Sequence, residues 1–349
     1  MTDFGITRSA SIVDLETRDG RALGALTGLA IGDALGMPTQ YLSRATIREL
    51  YGTLTWFEDG PQANDISRGM PAGHVTDDTD QALIVARALI KGRGRVDHRA
   101  LASELLAWEA RMEDIGSLDL LGPSTKRALE SLNSGATVDD AGRWGDTNGA
   151  AMRIAAVGIA TRPEPLGALV GRVEEVSRLT HNTGIAIAGA AAVAAAISAG
   201  IDGASVEAAT ALAIEAAREG GRRGAYVAGA DVARRMEWAL DLVCGARDEE
   251  QALDLISELI GTGVATQEAV PAAFALLSLV PDDPWRVSVL AAGLGGDSDT
   301  IAAIAGAMCG SIVGVDGFPE EAIDLVTTVN GLDLAPTVAS LLALRDSVQ

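Results

Sequence analysis

Aromatic residues are scarce in this chain: five Trp, three Tyr and four Phe make up 3% of its 349 positions. Strand-rich sandwiches and base-stacking modules draw heavily on aromatic and β-branched side chains, so neither is expected. Basic residues are also outnumbered, 27 Lys and Arg against 48 Asp and Glu, for a net charge of −21. Binding along a nucleic-acid backbone relies on clustered Lys and Arg that release counterions. The one dense basic cluster, Arg218 to Arg223, is short and interrupted by glycines, and reads as a solvated loop. Bulk nucleic acid is therefore excluded as a partner, whereas small phosphorylated ligands are not.

Cysteine is nearly absent. Cys244 and Cys309 lie far apart with no metal-type spacing, so no disulfide framework is expected and a reducing compartment fits best. No apolar segment follows the polar N-terminus, so no signal peptide is expected and the cytoplasm is the expected location. One stretch, 182–201, is charge-free and long enough to span a bilayer. It is mostly Ala and Gly and is bracketed by His181 and Asp202, so it reads as a buried core helix and not as a membrane segment.

What the chain has in quantity is small residues, including 40 glycines, within a composition that is 48% hydrophobic and 21% charged. That is globular, and it suits closely packed helices. The first twenty residues read as a polar lead-in. From 21 to 349 the apolar spacing predicts helix after helix, beginning at 21–36, where Gly24, Gly28 and Gly32 recur every four residues and let backbones approach. Further helices are expected at 79–91, 96–110, 124–134, 150–159, 183–199 and 301–313, among others. No segment alternates as a strand should, and no linker divides the chain. An all-α, single compact domain is expected.

Two loop-to-helix junctions carry the candidate chemistry: Thr76-Asp77-Asp78-Thr79-Asp80, and Gly295-Gly296-Asp297-Ser298-Asp299-Thr300. Taken singly, each could be an ordinary N-cap. Together they crowd five acids into apolar surroundings, where unbalanced carboxylates would repel one another. Asp carboxylates and Thr hydroxyls are hard oxygen ligands suited to Mg²⁺ or Mn²⁺. Two such clusters could hold two divalent cations and present a water as nucleophile.

At these motifs the sequence resembles the ADP-ribosylglycohydrolase family, which includes the dinitrogenase reductase-activating glycohydrolase and the ADP-ribosylarginine hydrolases. The resemblance runs from about Gly20 to the end. It rests on the Gly24 to Gly36 run with its Asp33, on Thr76 to Thr79, on Asn148 to Arg153, on Thr180-His181-Asn182, and on Gly295 to Thr300. It implies an all-α fold with a dinuclear Mg²⁺ or Mn²⁺ site at the base of an ADP-ribose cleft. By matching position, Thr76, Asp77, Asp78, Asp297, Asp299 and Thr300 look like metal ligands, and Asn148, Gly149 and His181 look like substrate contacts. The Gly122-Pro123-Ser124-Thr125 segment resembles one near the phosphates, where helix N–H groups could receive an anion.

One position departs from the pattern. Many members carry a Glu four residues past the last glycine of the Gly36 run, and here that position is Gln40. An amide can position a ribose hydroxyl or a water but cannot accept a proton, which closes any mechanism using that Glu as acid or base. Asp33 reads as a buried acid capping a neighbouring turn. The resemblance implies hydrolysis of an N- or O-glycosidic bond of an ADP-ribosylated protein or small molecule, with Asp77 or Asp78 orienting or deprotonating the water. A glycosidase of a smaller riboside or nucleoside, and a non-catalytic ADP-ribose-binding module, stand as alternatives.

Overall fold

The computed structural model describes residues 7–118 and 120–347, with side chains from Thr17 onward. Among them are eighteen α-helices and no strand, only two isolated bridges, Thr147 to Ala265 and Thr183 to Ala225. In chain order the first nine are α1 (Thr7–Gly36), α2 (Arg44–Tyr51), α3 (Asp77–Lys91), α4 (His98–Asp114), α5 (Pro123–Asn133), α6 (Val138–Ala141), α7 (Gly149–Met152), α8 (Ala155–Ala160) and α9 (Leu166–Ser177). The rest are α10 (Gly184–Ile201), α11 (Val206–Gly220), α12 (Val232–Cys244), α13 (Glu249–Leu255), α14 (Thr266–Leu279), α15 (Pro284–Ala292), α16 (Ser298–Val313), α17 (Glu320–Asn330) and α18 (Ala335–Ser347). Short polar side chains start many of them: Ser43, Asp97, Thr183, Ser205, Asp231 and Asp283 each accept a first-turn N–H.

The centre of the fold is the pair α1 and α16, and glycine makes the pair possible. A Cβ on Gly24 would lie 2.3 Å from the carbonyl oxygen of Gly310, one on Gly28 2.2 Å from that of Gly306, and one on Gly32 2.1 Å from that of Ala302. Real carbon–oxygen contacts do not come that close, so each larger residue would force the backbones apart. The last step matters most for function. Gly36 packs on the backbone of Asp299, where a Cβ would stand 2.4 Å from its Cα. Helix contact thereby holds the end of α1 against the acidic start of α16.

Two expected helices differ in extent. The first begins at Thr7 and not at residue 21, so the polar lead-in from Thr7 on continues α1; residues 1–6 lie outside the described residues. The helix expected over 150–159 is two short ones, α7 and α8, interrupted at Arg153. That residue turns its guanidinium into the core, where it donates to Gln81 Oε1 and Thr180 Oγ1. The charge-free stretch is α10, buried along nearly its whole length among α7, α8, α9, α11 and α16. Its last turn is tied down by buried Arg345 of α18, which donates to Ser198 Oγ and the Ser198 carbonyl at 3.0 Å each.

Candidate active site

The first acidic junction is anchored from below by Asp33. This α1 side chain is fully buried and accepts from Thr76 N, Thr76 Oγ1 and Thr79 N at 3.0, 2.8 and 3.0 Å, and from Thr79 Oγ1. It is the structural cap of α3. Burial pushes its carboxyl up to about 6, against the pull of those four donors. With α3 clamped this way, Asp77 and Asp78 are delivered at the start of the helix.

The second junction is shaped by Gly295 and Gly296, both in the left-handed region at φ +72° and +68°. A side chain at either would strike backbone, the Leu42 carbonyl at 2.2 Å or the Thr262 carbonyl at 2.3 Å. The turn pairs with the loop after α1 through Tyr41 N to Gly296 O and Gly296 N to Leu42 O. Asp297 N in turn donates to Thr262 O at 2.6 Å.

The fold brings the two junctions together across 222 residues: Thr300 Oγ1 donates to Asp78 Oδ2 at 3.1 Å. Asp77, Asp297, Asp299 and Thr300 line one cleft with Gln40, Asn148 and Gly149. Thr76 and Asp78 lie beneath its surface, 1% exposed each. Burial, followed by the charges of Asp77, Asp299, Asp33 and Asp297, pushes the Asp78 carboxyl well above the ordinary range. Burial likewise raises Asp297 to about 6, although Asn148 Nδ2 and Thr300 hydrogen-bond to it.

These residues fit a hard cation. The buried Asp78 Oδ1 has no hydrogen-bond partner among the described residues, and the surrounding donors are carboxylate and hydroxyl oxygens. No three acidic, His or Cys side chains among the described residues form a ready-made chelating cluster. The acids at the two junctions come as two pairs, Asp77 with Asp78 and Asp297 with Asp299, and the charges of the other three press on the Asp78 carboxyl.

The other expected contacts fall in three places. Asn148 and Gly149 form part of the cleft floor, and Gln40 its wall, 2% exposed with its Nε2 lacking any hydrogen-bond partner. Gly122 lines the cleft with Pro123 and Thr125 at the start of α5, which has no side-chain cap, but Ser124 is turned away and receives Arg127 at 3.5 Å. His181 does not reach the cleft. It is fully buried under Gly149, whose Cβ would lie 2.8 Å from its Cε1. Burial, then Arg153 and Arg127, hold its imidazole neutral with a pKa well below the usual value. Because Arg153 Nη2, which can only donate, faces Nδ1 at 3.3 Å, the ring proton belongs on Nε2, facing Thr147 Oγ1 at 3.0 Å.

Sequence reasoning missed a second network. Arg153 holds Gln81 through its Oε1, which turns Gln81 Nε2 onto Asp77 Oδ2 at 2.5 Å. Arg153 ends one of the quoted motifs, but nothing in its spacing says that it is buried. Tyr41, Ile66, Leu118, Leu121 and Val264, on loops without periodicity, also line the cleft.

A helical fold with two acidic helix starts converging on a cleft beside an uncapped helix N-terminus defines the class. A family model described as ADP-ribosylglycohydrolase matches residues 14–348, and the chain belongs to that family, whose members hydrolyse glycosyl compounds. It is 36% identical to an uncharacterized Escherichia coli protein, YegU, over 93% of this chain and 97% of that one. It is 29% identical to the ADP-ribosylarginine hydrolase Tri1 of Pseudomonas putida, over 88% of this chain and 74% of the relative. A solved ADP-ribosylglycohydrolase-related protein complex superposes with a TM-score of 0.66 at 25% identity, covering 96% of this chain and all of that one.

Proposed function

We propose that this chain is a cytoplasmic, divalent-metal-dependent hydrolase that cleaves an N- or O-glycosidic bond at the anomeric carbon of an ADP-ribosyl group. The single observation that carries the reading is the bridge from Thr300 to Asp78 beside an oxygen of Asp78 with no partner, at the base of a cleft lined by Asp77, Asp297 and Asp299. Thr76, Asp77, Asp78, Asp297, Asp299 and Thr300 would hold two Mg²⁺ or Mn²⁺ ions, which supply positive charge at the ribose hydroxyls and at the attacking water.

This chain's own groups do the rest. Asp77 orients the water and takes its proton, held in place by Gln81. General-base help of this kind adds about 10²–10⁴-fold in rate. Gln40 Nε2 donates to the substrate, and Asn148 fixes Asp297. The first-turn N–H groups of α5 receive the diphosphate, as helix N-termini receive anions. His181 supports the floor through Gly149.

A smaller riboside is the second reading, favoured by one observation: Tyr41 is the only aromatic among the described cleft-lining residues, leaving little to sandwich an adenine. Incubation with ADP-ribosyl-arginine, ADP-ribosyl-serine peptide and a nucleoside panel, with and without Mg²⁺ or Mn²⁺, separates the readings. Release of ADP-ribose supports the first, release of free base or ribose the second. Binding of ADP-ribose without any turnover would leave only a binding module.

A further inference from the structure

One loop touches both partners of the Asn148–Asp297 hydrogen bond. Residues 261–265 lead into α14, and α13 reaches them through a wider helical turn over Ile256–Ile260, closed by Gly261 N to Ile256 O at 2.9 Å. Thr262 O accepts from Asp297 N at 2.6 Å, and Val264 O accepts from Asn148 N at 2.9 Å. Just beyond, Thr266 N and Thr266 Oγ1 both donate to Asp146 O, at 3.3 and 2.8 Å. Asp297 belongs to the start of α16 and Asn148 to the start of α7, so this loop spaces one against the other.

A loop with that task needs fixed ends, and a single guanidinium holds both. Arg235 of α12 donates through Nη2 to Ile260 O at 2.5 Å, immediately before the loop, and through Nε to Gln267 O at 3.1 Å, in the first turn of α14. Neither carbonyl has a helical N–H to accept from. Ile260 ends its turn at Gly261, which stands at φ +92° and leads the chain away. Gln267 is followed four residues later by Pro271, which has no N–H to give. The rigid fork of arginine serves two acceptors at once, whereas the ammonium of a lysine is a point donor. The Trp238 ring lies against the guanidinium, 4.7 Å from ring centre to Cζ. Within the loop, Glu268 Oε2 accepts from Gly263 N at 2.9 Å.

We propose that Arg235 is a positioning residue for the candidate cation site: by holding both ends of the 261–265 loop, it sets where the Asp297 carboxylate stands against Asn148. Arg235 itself is outside the cleft lining, and its effect runs through the backbone bonds to Asp297 N and Asn148 N. Hard cations demand closely set oxygen ligands, so a loosened Asp297 lowers affinity for them. That consequence rests on the hydrolase reading above; the backbone link does not.

The test compares wild type, Arg235→Ala and Arg235→Lys as whole proteins. Amide hydrogen exchange in EDTA-stripped protein reads the backbone link without metal or substrate. In Arg235→Ala, which loses two hydrogen bonds from a charged donor, the amides of Asn148 and Asp297 should exchange about tenfold faster or more. Those of the central helix α10 should change less than about twofold. Arg235→Lys should fall between wild type and Arg235→Ala. The Kd for Mn²⁺, measured by calorimetry without substrate, should rise in the same order, by about tenfold in Arg235→Ala. Unchanged exchange at both amides overturns the proposal, as does exchange quickened equally in α10, which a merely structural residue would give. Equal Mn²⁺ affinity in all three proteins overturns it too. Should Arg235→Ala not fold, Arg235→Lys is held to the same criteria. If no ADP-ribosyl compound is turned over while exchange and Mn²⁺ affinity shift as stated, the hydrolase reading fails and the positioning role stands.

Discussion

Gly32→Ala puts the α1–α16 contact to its most severe test. The new methyl carbon would lie 2.1 Å from the Ala302 carbonyl oxygen, 2.4 Å from its carbon and 2.7 Å from Ala303 N. All three are backbone atoms, so no side chain can swing aside. Restoring an ordinary separation of about 3.4 Å requires the helices to part by about 1 Å, and a gap of that size forfeits a quarter to a half of each dispersion contact along the seam. Overpacking costs about 1–3 kcal/mol in typical cores, and this site belongs at the upper end. The Gly24, Gly28 and Gly36 contacts lie on the same seam, so the displacement is transmitted to Asp299. Urea unfolding should show a loss of about 3 kcal/mol, and titration with Mn²⁺ a weaker affinity. Gly20→Ala is the control: it lies in the same helix with nothing within 4 Å, and should raise stability by about 0.5–1 kcal/mol. If Gly32→Ala unfolds within 1 kcal/mol of wild type, the seam is not what sets the helix spacing.

The remaining predictions concern charge. Asp33, pushed up to about 6, binds a proton in the folded state that the unfolded chain releases, so its ionisation costs stability as pH rises through 6. Relative to Asp33→Asn, wild type in EDTA should gain up to about 1.4 kcal/mol per pH unit as pH falls from 6 toward 4; parallel profiles for the two proteins would refute the assignment. Gln40→Glu replaces a buried amide donor by a further carboxylate beside Asp297 and Asp299, and should lower turnover of the natural substrate about tenfold or more. A faster enzyme would show that an acid is needed at this position, and equal rates on every substrate that Gln40 lies outside the reacting shell.

How much of this was legible beforehand depended on how local the signal was. The four-residue glycine spacing in α1 announced close helix contact, but its partner α16 could be found only in three dimensions. Both acidic junctions were visible because capping residues, glycines and acids sit next to one another in the chain. Asp33 read as a cap and is one. The interruption at Arg153 was not legible, because no Gly or Pro stands near that position in Ala150 to Val157 and the guanidinium finds its partners Gln81 and Thr180 only in three dimensions. His181 was expected against the substrate and stands one layer behind, since its motif carries no record of the glycine above it. Ile66 and Leu118, which line the cleft, lie on loops whose spacing carries no pattern at all.

The most direct measurement of the central claim is ADP-ribose release from ADP-ribosylated substrate by EDTA-stripped protein, before and after addition of Mg²⁺ or Mn²⁺, for wild type and for Asp78→Asn and Asp299→Asn. Release by wild type only after the cation is added, with both variants at least about a hundredfold slower at any cation concentration, is the predicted result. Equal release by all three proteins in EDTA would contradict the assignment of these carboxylates to a catalytic metal site.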